Sequence, residues 1–242
     1  YSISPLAMMG MLLQGVAAAM TFGMGVAYAT SIGMTSSQAS LFLVAGTTGT
    51  MMLQYPVGRL SDILDRRLVI LLVAIISASA AACAAFLTLD YFWPLIILTG
   101  IYGGFSMTIY SLCIAHANDY LTPRQMVGTA STLIMVNGIG AIIGSPLIAL
   151  FMEILSNHAY FAGIAIVHVG TALYALARMK TRSSVPVEAQ GPFVIVPETG
   201  TAIAATLNPE AAWEETVSEI EPFSPSISDN PYLEIPTQTD SS

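Results

Sequence analysis

The most distinctive charged residues of the sequence form one short run, Gly58-Arg-Leu-Ser-Asp62-Ile-Leu-Asp65-Arg66-Arg67. A glycine lets a neighbouring helix approach closely, and an aspartate can face the positive amino end of a helix. Two adjacent arginines can bind carboxylates or lipid phosphates. The pattern therefore indicates ion pairs and helix-end contacts that form and break. An ordinary basic connection, with Asp62 as a helix cap, is the simpler alternative.

Residues with the spacing of a catalytic or metal site do not occur in the apolar segments. These segments hold no pair of acids and no nucleophile beside a base, and Cys83 and Cys113 have no histidine at ligand spacing. We therefore expect no enzyme activity, no catalytic residue, no bound metal and no cofactor. We also expect no nucleic acid among the partners.

Uncharged intervals of membrane length make up most of the chain. It has 242 residues, of which 55% are hydrophobic and 9% are charged, whereas soluble domains carry about 25% charged residues. Crossing a bilayer core takes about 20 apolar residues. Ser36 or Ser37 is the expected cap of the second helix. The predicted membrane spans lie at about 6–30, 38–57, 67–89, 92–115, 126–152 and 158–178.

The basic residues all fall on one side of this topology. The positive-inside rule then places both ends of the segment in the cytoplasm. The sequence starts at Tyr1, directly before the first span and without a signal peptide, which we interpret as the start of a piece from a longer protein. The basic residues are Arg59, Arg66, Arg67, Arg124, Arg178, Lys180 and Arg182.

Residues 183–242 differ in composition from residues 1–182. They contain no lysine or arginine but many acidic residues and prolines. Such a segment buries too little apolar surface to offset the chain entropy lost on ordering. We therefore predict a transmembrane bundle, 1–182, followed by a disordered acidic cytoplasmic tail, 183–242.

The charged run resembles the loop signature of the major facilitator superfamily. Ile63 and Asp65 replace a basic residue and a glycine of that signature, departures that are typical of its weaker second copy. That copy lies between the eighth and ninth helices of a twelve-helix transporter. The matching residues are Gly58, Leu60, Ser61, Asp62, Arg66 and Arg67.

Two further stretches resemble the carboxyl-terminal half of the YcaD-like branch of this superfamily. They are Tyr102–Asp119, which ends the fourth span, and Val136–Pro146. The resemblance implies an all-α integral membrane fold with six transmembrane helices, arranged as two inverted three-helix repeats. It also implies an amino-terminal six-helix half of the same protein as a partner. It does not extend to the tail.

The small residues of the fifth span suggest close helix packing. Gly140 and Gly144 lie one helical turn apart and lead to Pro146. In lipid, small faces let helices approach closely. Static packing and a bendable contact used in alternating access are both compatible with this pattern.

Polar residues at membrane depth are few, and the resemblance suggests roles for them. In the family the first, second, fourth and fifth spans line the central cavity. His168 lies on the peripheral sixth span, where we expect packing or an interhelical hydrogen bond. The substrate-contact candidates on the cavity-lining spans are Gln14, Tyr28, Tyr102, Tyr110 and Asn137.

These features together predict secondary active transport of a small solute by alternating access, in the inner membrane of a bacterium. The lipid bilayer and the other half are then the partners. Gly58, Asp62, Arg66 and Arg67 are the predicted gating residues. The alternative is a non-transporting membrane scaffold or sensor in which the acidic tail binds a partner.

Overall fold

The computed structural model describes residues 4–181 together with Gln190, Gly191 and Phe193. All of these residues belong to one compact unit, Tyr1–Ala211. The rest of the predicted tail lies outside the described residues. The boundary at residue 182 and the disorder of the tail therefore stay predictions.

Seven α-helices make up the described part of the chain, which contains no β-strand. A 3₁₀ turn, Leu89–Tyr91, precedes the fourth helix. The helices are α1 (Pro5–Ser31), α2 (Ser36–Ile63), α3 (Arg66–Ala85), α4 (Phe92–Ser106), α5 (Thr108–Asn118), α6 (Pro123–Ile154) and α7 (Ala159–Thr181).

Five segments of the described chain are both long and apolar enough to cross a membrane. They are α1, α3, α6 without its first two residues, α7, and the joined segment Leu89–Asn118 that contains α4 and α5. α2 has 28 residues, about 42 Å at 1.5 Å per residue, but its glycines, threonines and glutamines lower its hydropathy. The all-helical prediction is confirmed, and the sixth span stays a prediction.

α2 differs from the prediction at both of its ends. Its cap is Thr35, whose N–H donates to Gln38 Oε1 at 2.9 Å while the Gln38 N–H donates to Thr35 Oγ1 at 3.3 Å. This reciprocal capping box makes Thr35 the cap, so the choice of Ser36 or Ser37 was wrong. The helix also continues past residue 57 to Ile63. The first half of the charged run is therefore helical and is not a loop.

α1 packs chiefly on α6 along a surface lined by glycines. A Cβ added at Gly140 would overlap the carbonyl oxygen of Leu12, and one at Gly144 would overlap that of Val16. Only a residue without a side chain allows the two backbones to approach this closely. The helices are therefore in backbone contact.

Hydrogen bonds from α6 to the backbone of α1 support the same contact. Asn137 Nδ2 donates to the Met11 carbonyl at 3.2 Å, and Ser145 Oγ donates to the Ala19 carbonyl at 2.9 Å. In a membrane, where apolar burial does not drive helix association, such bonds add to close packing.

α2 and α4 are joined in the same way. A Cβ at Gly49 would overlap the carbonyl of Gly100, and one at Gly103 would overlap the backbone of Gly46. Thr50 Oγ1 donates to the Gly103 carbonyl at 3.0 Å. Two helix pairs of the bundle are thus held by glycine contacts and by one or two interhelical hydrogen bonds.

Buried apolar side chains form two clusters, one toward each end of the bundle. The first includes Leu6 and Ile70, near the starts of α1 and α3, with Tyr110 of α5. The second includes Tyr28 and Phe42, near the end of α1 and the start of α2. The charged run lies at the end of the bundle that holds the first cluster.

Gly140→Ala is expected to destabilise the bundle, because its Cβ would meet the main chain of Leu12, which cannot move aside as a flexible side chain would. Overpacking of this kind costs about 1–3 kcal/mol. The matched control is Gly138→Ala on the same helix, where nothing lies within 4 Å of the new Cβ. Thermal unfolding in detergent measures both variants. Equal melting temperatures would contradict the close contact between α1 and α6.

Candidate functional site

Three charged residues meet at one end of the bundle. Arg66, at the start of α3, has its Nη1 2.6 Å from Asp119 Oδ1 and its Nη2 3.5 Å from Asp62 Oδ1. Its Nη1 also donates to the Ala115 carbonyl at 3.1 Å. We call Asp62, Arg66 and Asp119 the charged cluster. It connects the end of α2, the start of α3 and the end of α5.

The members of the charged cluster differ in their exposure. The side chains of Arg66 and Asp119 are 1% and 2% exposed, whereas that of Asp62 is 38% exposed. Removing one partner of a buried ion pair is strongly destabilising because the other charge is left buried. Arg66 and Asp119 therefore depend on each other, whereas Asp62 remains open to a further partner.

Asp65 and Arg67 form a second ion pair beside the charged cluster. Asp65 is the N-cap of α3, and its Oδ1 accepts from the Arg67 N–H at 3.0 Å. Arg67 Nη2 lies 3.2 Å from Asp65 Oδ2. The cap of this helix is thus Asp65 and not Asp62.

Gly58 lies one turn before Asp62 on α2. It is buried, and a Cβ at this position would overlap the ring of Phe193. Ser61 Oγ donates to the Gly58 carbonyl at 2.8 Å. The structure therefore brings the four predicted gating residues to one end of the bundle. It adds Asp119, which the sequence signalled only as an acid at the end of a span.

Tyr102 and His168 form a polar contact between α4 and its neighbours. Tyr102 Oη lies 2.7 Å from Thr21 Oγ1, and its ring meets the His168 ring edge to face at 5.6 Å. His168 Nδ1 lies 3.0 Å from the Ile164 carbonyl, which only accepts, so Nδ1 carries the proton. Nε2 then accepts from Ser106 Oγ at 2.9 Å. The interhelical hydrogen bond expected for His168 is confirmed.

A small pocket lies beside Tyr102. Gln14 is adjacent to it, because Gln14 Nε2 lies 3.8 Å from Met107 Sδ in the pocket wall. Of the five substrate-contact candidates, Tyr102 is the one in the lining given for this pocket, and Gln14 contacts one of the lining residues. The lining includes Thr21, Phe22, Phe42, Thr99, Tyr102 and Met107.

The other three candidates have partners within the bundle. Tyr28 stacks on Tyr160 at 4.3 Å and meets Phe161 edge to face at 5.3 Å. Tyr110 is fully buried in the first apolar cluster. Asn137 donates to the backbone of α1. Their contact with a substrate stays a prediction.

A family model for the Major Facilitator Superfamily matches residues 6–224. This chain belongs to the Major Facilitator Superfamily. Its superfamily relatives include the "Uncharacterized MFS-type transporter YcaD" of Salmonella arizonae, which is 23% identical over 184 residues, with 73% of this chain and 44% of the relative covered. The protein of the same name from Escherichia coli K12 is 22% identical over 186 residues, with the same coverage.

The chain spans about half the length of the curated superfamily relatives it matches, and the matched part is their carboxyl-terminal half. The predicted family and branch are confirmed. Membership, together with the apolar helices, supports a multi-pass membrane protein. No group of three or more metal-ligating side chains occurs among the described residues.

The burial of Asp119 at the end of α5 changes the pKa of its carboxyl group. Burial raises the pKa of Asp119 from 3.8 to about 6, while the Arg66 guanidinium and the Gly191 N–H oppose the rise. The folded state therefore binds this proton more tightly than the unfolded state does. The stability contributed by this group is present below pH 3.8 and is lost as the pH rises through about 6.

We compare the melting temperature of the wild type with that of Asp119→Asn, in which residue 119 does not titrate. The wild-type value minus the variant value is expected to fall as the pH rises from about 5 to about 7, because Asp119 then loses its proton. Thermal unfolding of both proteins in detergent, across this pH range, measures the difference. A difference that stays level or grows with pH would contradict the raised pKa of Asp119.

Proposed function

We propose that this chain is the carboxyl-terminal half of a secondary transporter that moves a small solute across a bacterial inner membrane by alternating access. We further propose that the charged cluster belongs to its cytoplasmic gate. The main support for the proposal is that a member of this superfamily has an ion-paired cluster where the end of α2, the start of α3 and the end of α5 meet. Such a protein is a carrier and not an enzyme.

Exposed apolar faces on α2 and α6 support the proposal that this chain pairs with a second half. Met51 and Met52 on α2 are 77% and 71% exposed, and Ile142 on α6 is 75% exposed. α6 is the least buried of the apolar segments. The matched relatives are more than twice the length of the matched segment. We infer that a second six-helix bundle covers these faces.

The pairing of helices supports two inverted three-helix repeats. The first repeat is α1, α2 and α3, and the second is α4 joined to α5, then α6 and α7. The first helix of each repeat packs on the second helix of the other, since α1 pairs with α6 and α4 pairs with α2. The third helices, α3 and α7, pack on each other. A two-fold axis in the membrane plane would exchange these pairs, as expected of inverted repeats.

The placement of basic residues supports a cytoplasmic position for the gate. One surface pocket is lined by Ser4, Arg67, His116 and Arg178 among others. The start of α1, the start of α3, the end of α5 and the end of α7 therefore lie at the same end of the bundle. The positive-inside rule places that end in the cytoplasm.

Asp62 is the member of the charged cluster best placed to contact the other half. It lies on the last turn of α2 and is partly exposed. When the cytoplasmic side closes, its carboxylate would face the positive amino end of a helix from the other half. Such a contact is worth about 0.3–1 kcal/mol when exposed and about 2 kcal/mol when partly buried. It would stabilise the closed state alone.

The proposal of transport is tested with the full-length protein in vesicles and a broad panel of small solutes. Solute-dependent uptake or efflux is expected. A flat result across the panel would favour the scaffold or sensor alternative, in which the acidic tail binds a partner. Family membership does not favour that alternative.

Asp62→Asn is expected to slow transport and to open the cytoplasmic side, because it removes the charge that stabilises the closed gate. The matched control is Asp65→Asn, which keeps a capping residue at the start of α3 and should have a much smaller effect. A pair of spin labels across the cytoplasmic gate of the full-length protein measures the opening. Equal label distances in the wild type and Asp62→Asn would refute the gating role of Asp62.

Cysteine labelling in intact cells tests the orientation, in a Cys83→Ala, Cys113→Ala background. Ser36 is exposed at the start of α2, and Ser36→Cys should react with an impermeant reagent from outside. Thr181→Cys is exposed at the end of α7 and should react only after permeabilisation. The reverse pattern would overturn the topology.

A further inference from the structure

Two residues from the predicted tail contact every member of the charged cluster. The Gly191 carbonyl accepts from Arg66 Nη2 at 2.7 Å, and the Gly191 N–H donates to Asp119 Oδ1 at 3.3 Å. The Phe193 N–H donates to Asp62 Oδ1 at 2.8 Å. We call Gly191 and Phe193 the strap.

The strap is complementary in charge to the surface it contacts. Its two N–H groups face the two carboxylates, and its carbonyl faces the guanidinium. Hydrogen bonds to charged groups are about twice as strong as those between neutral groups. The main chain alone makes these hydrogen bonds, so they do not depend on a polar side chain in the strap.

The Phe193 side chain fixes where the strap lies on α2. Its ring covers Gly58, where a Cβ would overlap it. Phe193 is partly buried and packs against the apolar cluster that contains Val57. The absence of a side chain at Gly58 thus leaves room on α2 for a bulky group, and in this structure that group is the Phe193 ring.

We propose that the strap is an autoinhibitory element that occupies the surface of α2 on which the other half closes. This inference rests on the proposed function, in which Asp62 and the face at Gly58 contact a helix of the other half. One surface does not hold a phenyl ring and a helix end together. With the strap bound, the cytoplasmic side is held open; with the strap released, it closes.

Docking of the strap is tested first, by amide hydrogen exchange of the full-length protein. The Gly191 and Phe193 amides should exchange slowly in the wild type, because both donate to carboxylates. Phe193→Ala should speed exchange of the Gly191 amide by about threefold to tenfold, the effect of losing the apolar packing of a partly buried ring. The matched control is Phe223→Ala, the same substitution further along the tail. Unchanged exchange in α3 would show that the bundle is intact.

The effect of the strap on the gate is tested by the alkylation rate of Tyr55→Cys in the Cys83→Ala, Cys113→Ala background. Position 55 is exposed on α2, on the cytoplasmic side of the bilayer midplane in the proposed topology. Adding Phe193→Ala should slow its alkylation by about threefold or more, because the released strap lets the cytoplasmic side close. Adding Phe223→Ala should leave the rate unchanged.

Two results would overturn the inference. One is fast exchange of the Gly191 and Phe193 amides in the wild type, which would show that the strap does not dock. The other is an equal alkylation rate with and without Phe193→Ala, although exchange of the Gly191 amide has increased. Neither readout requires a transported solute. Absence of transport by the wild type would therefore count against the proposed function alone.

Discussion

The guanidinium of Arg66 is the group on which the charged end of the bundle depends. It is 1% exposed, and a charge that deep is tolerated only when carboxylates and carbonyls surround it. Its contacts come from Asp62, Asp119, Ala115 and Gly191. Among its nitrogens only Nε has no hydrogen-bond partner in the described part of the chain. The ends of α2 and α5 and the strap meet the start of α3 here because each of them supplies an oxygen to the Arg66 cation.

A second constraint shapes the rest of the bundle, because lipid offers no hydrophobic force between helices. In this bundle, backbone contacts at glycines hold α1 against α6 and α2 against α4. Close-packed interiors transmit displacement instead of absorbing it. A bundle built in this way is suited to move as one body, which leaves contacts at its edges, such as those of Asp62, to distinguish one state from another.

The sequence predicted the helices better than their ends and partners. Charge-free intervals locate the spans because a bilayer excludes ions, but they mark the membrane boundary and not the end of a helix. α2 was therefore predicted to stop before Arg59, whereas its hydrogen bonding continues to Ile63. Tyr28 was a cavity candidate because it is polar, and the sequence did not reveal that Tyr160 would stack on it.

The partners within the charged cluster were even harder to predict from the sequence than the ends of the helices. The four-residue spacing of Asp62 and Arg66 within one motif was visible, but their ion pair crosses the break between α2 and α3 and does not follow from helical periodicity. Asp119 lies 53 residues from Arg66 in the chain and Gly191 lies 125 away. Pairings over such distances depend on which helices become neighbours, and a single sequence does not contain that information in a local pattern.

The chemistry of the strap also bears on how reversible its docking is. A lysine or arginine on Asp62 would form a strong charge pair, and the predicted tail contains neither residue. Phe193 contacts Asp62 through a main-chain N–H instead, and hydrogen bonds to charged groups contribute about 1.5–3 kcal/mol. Two states of a transporter differ by a few kcal/mol. The hydrogen bond at Asp62 alone is therefore comparable in free energy to the difference between two such states, so this contact competes with gate closure at the same carboxylate.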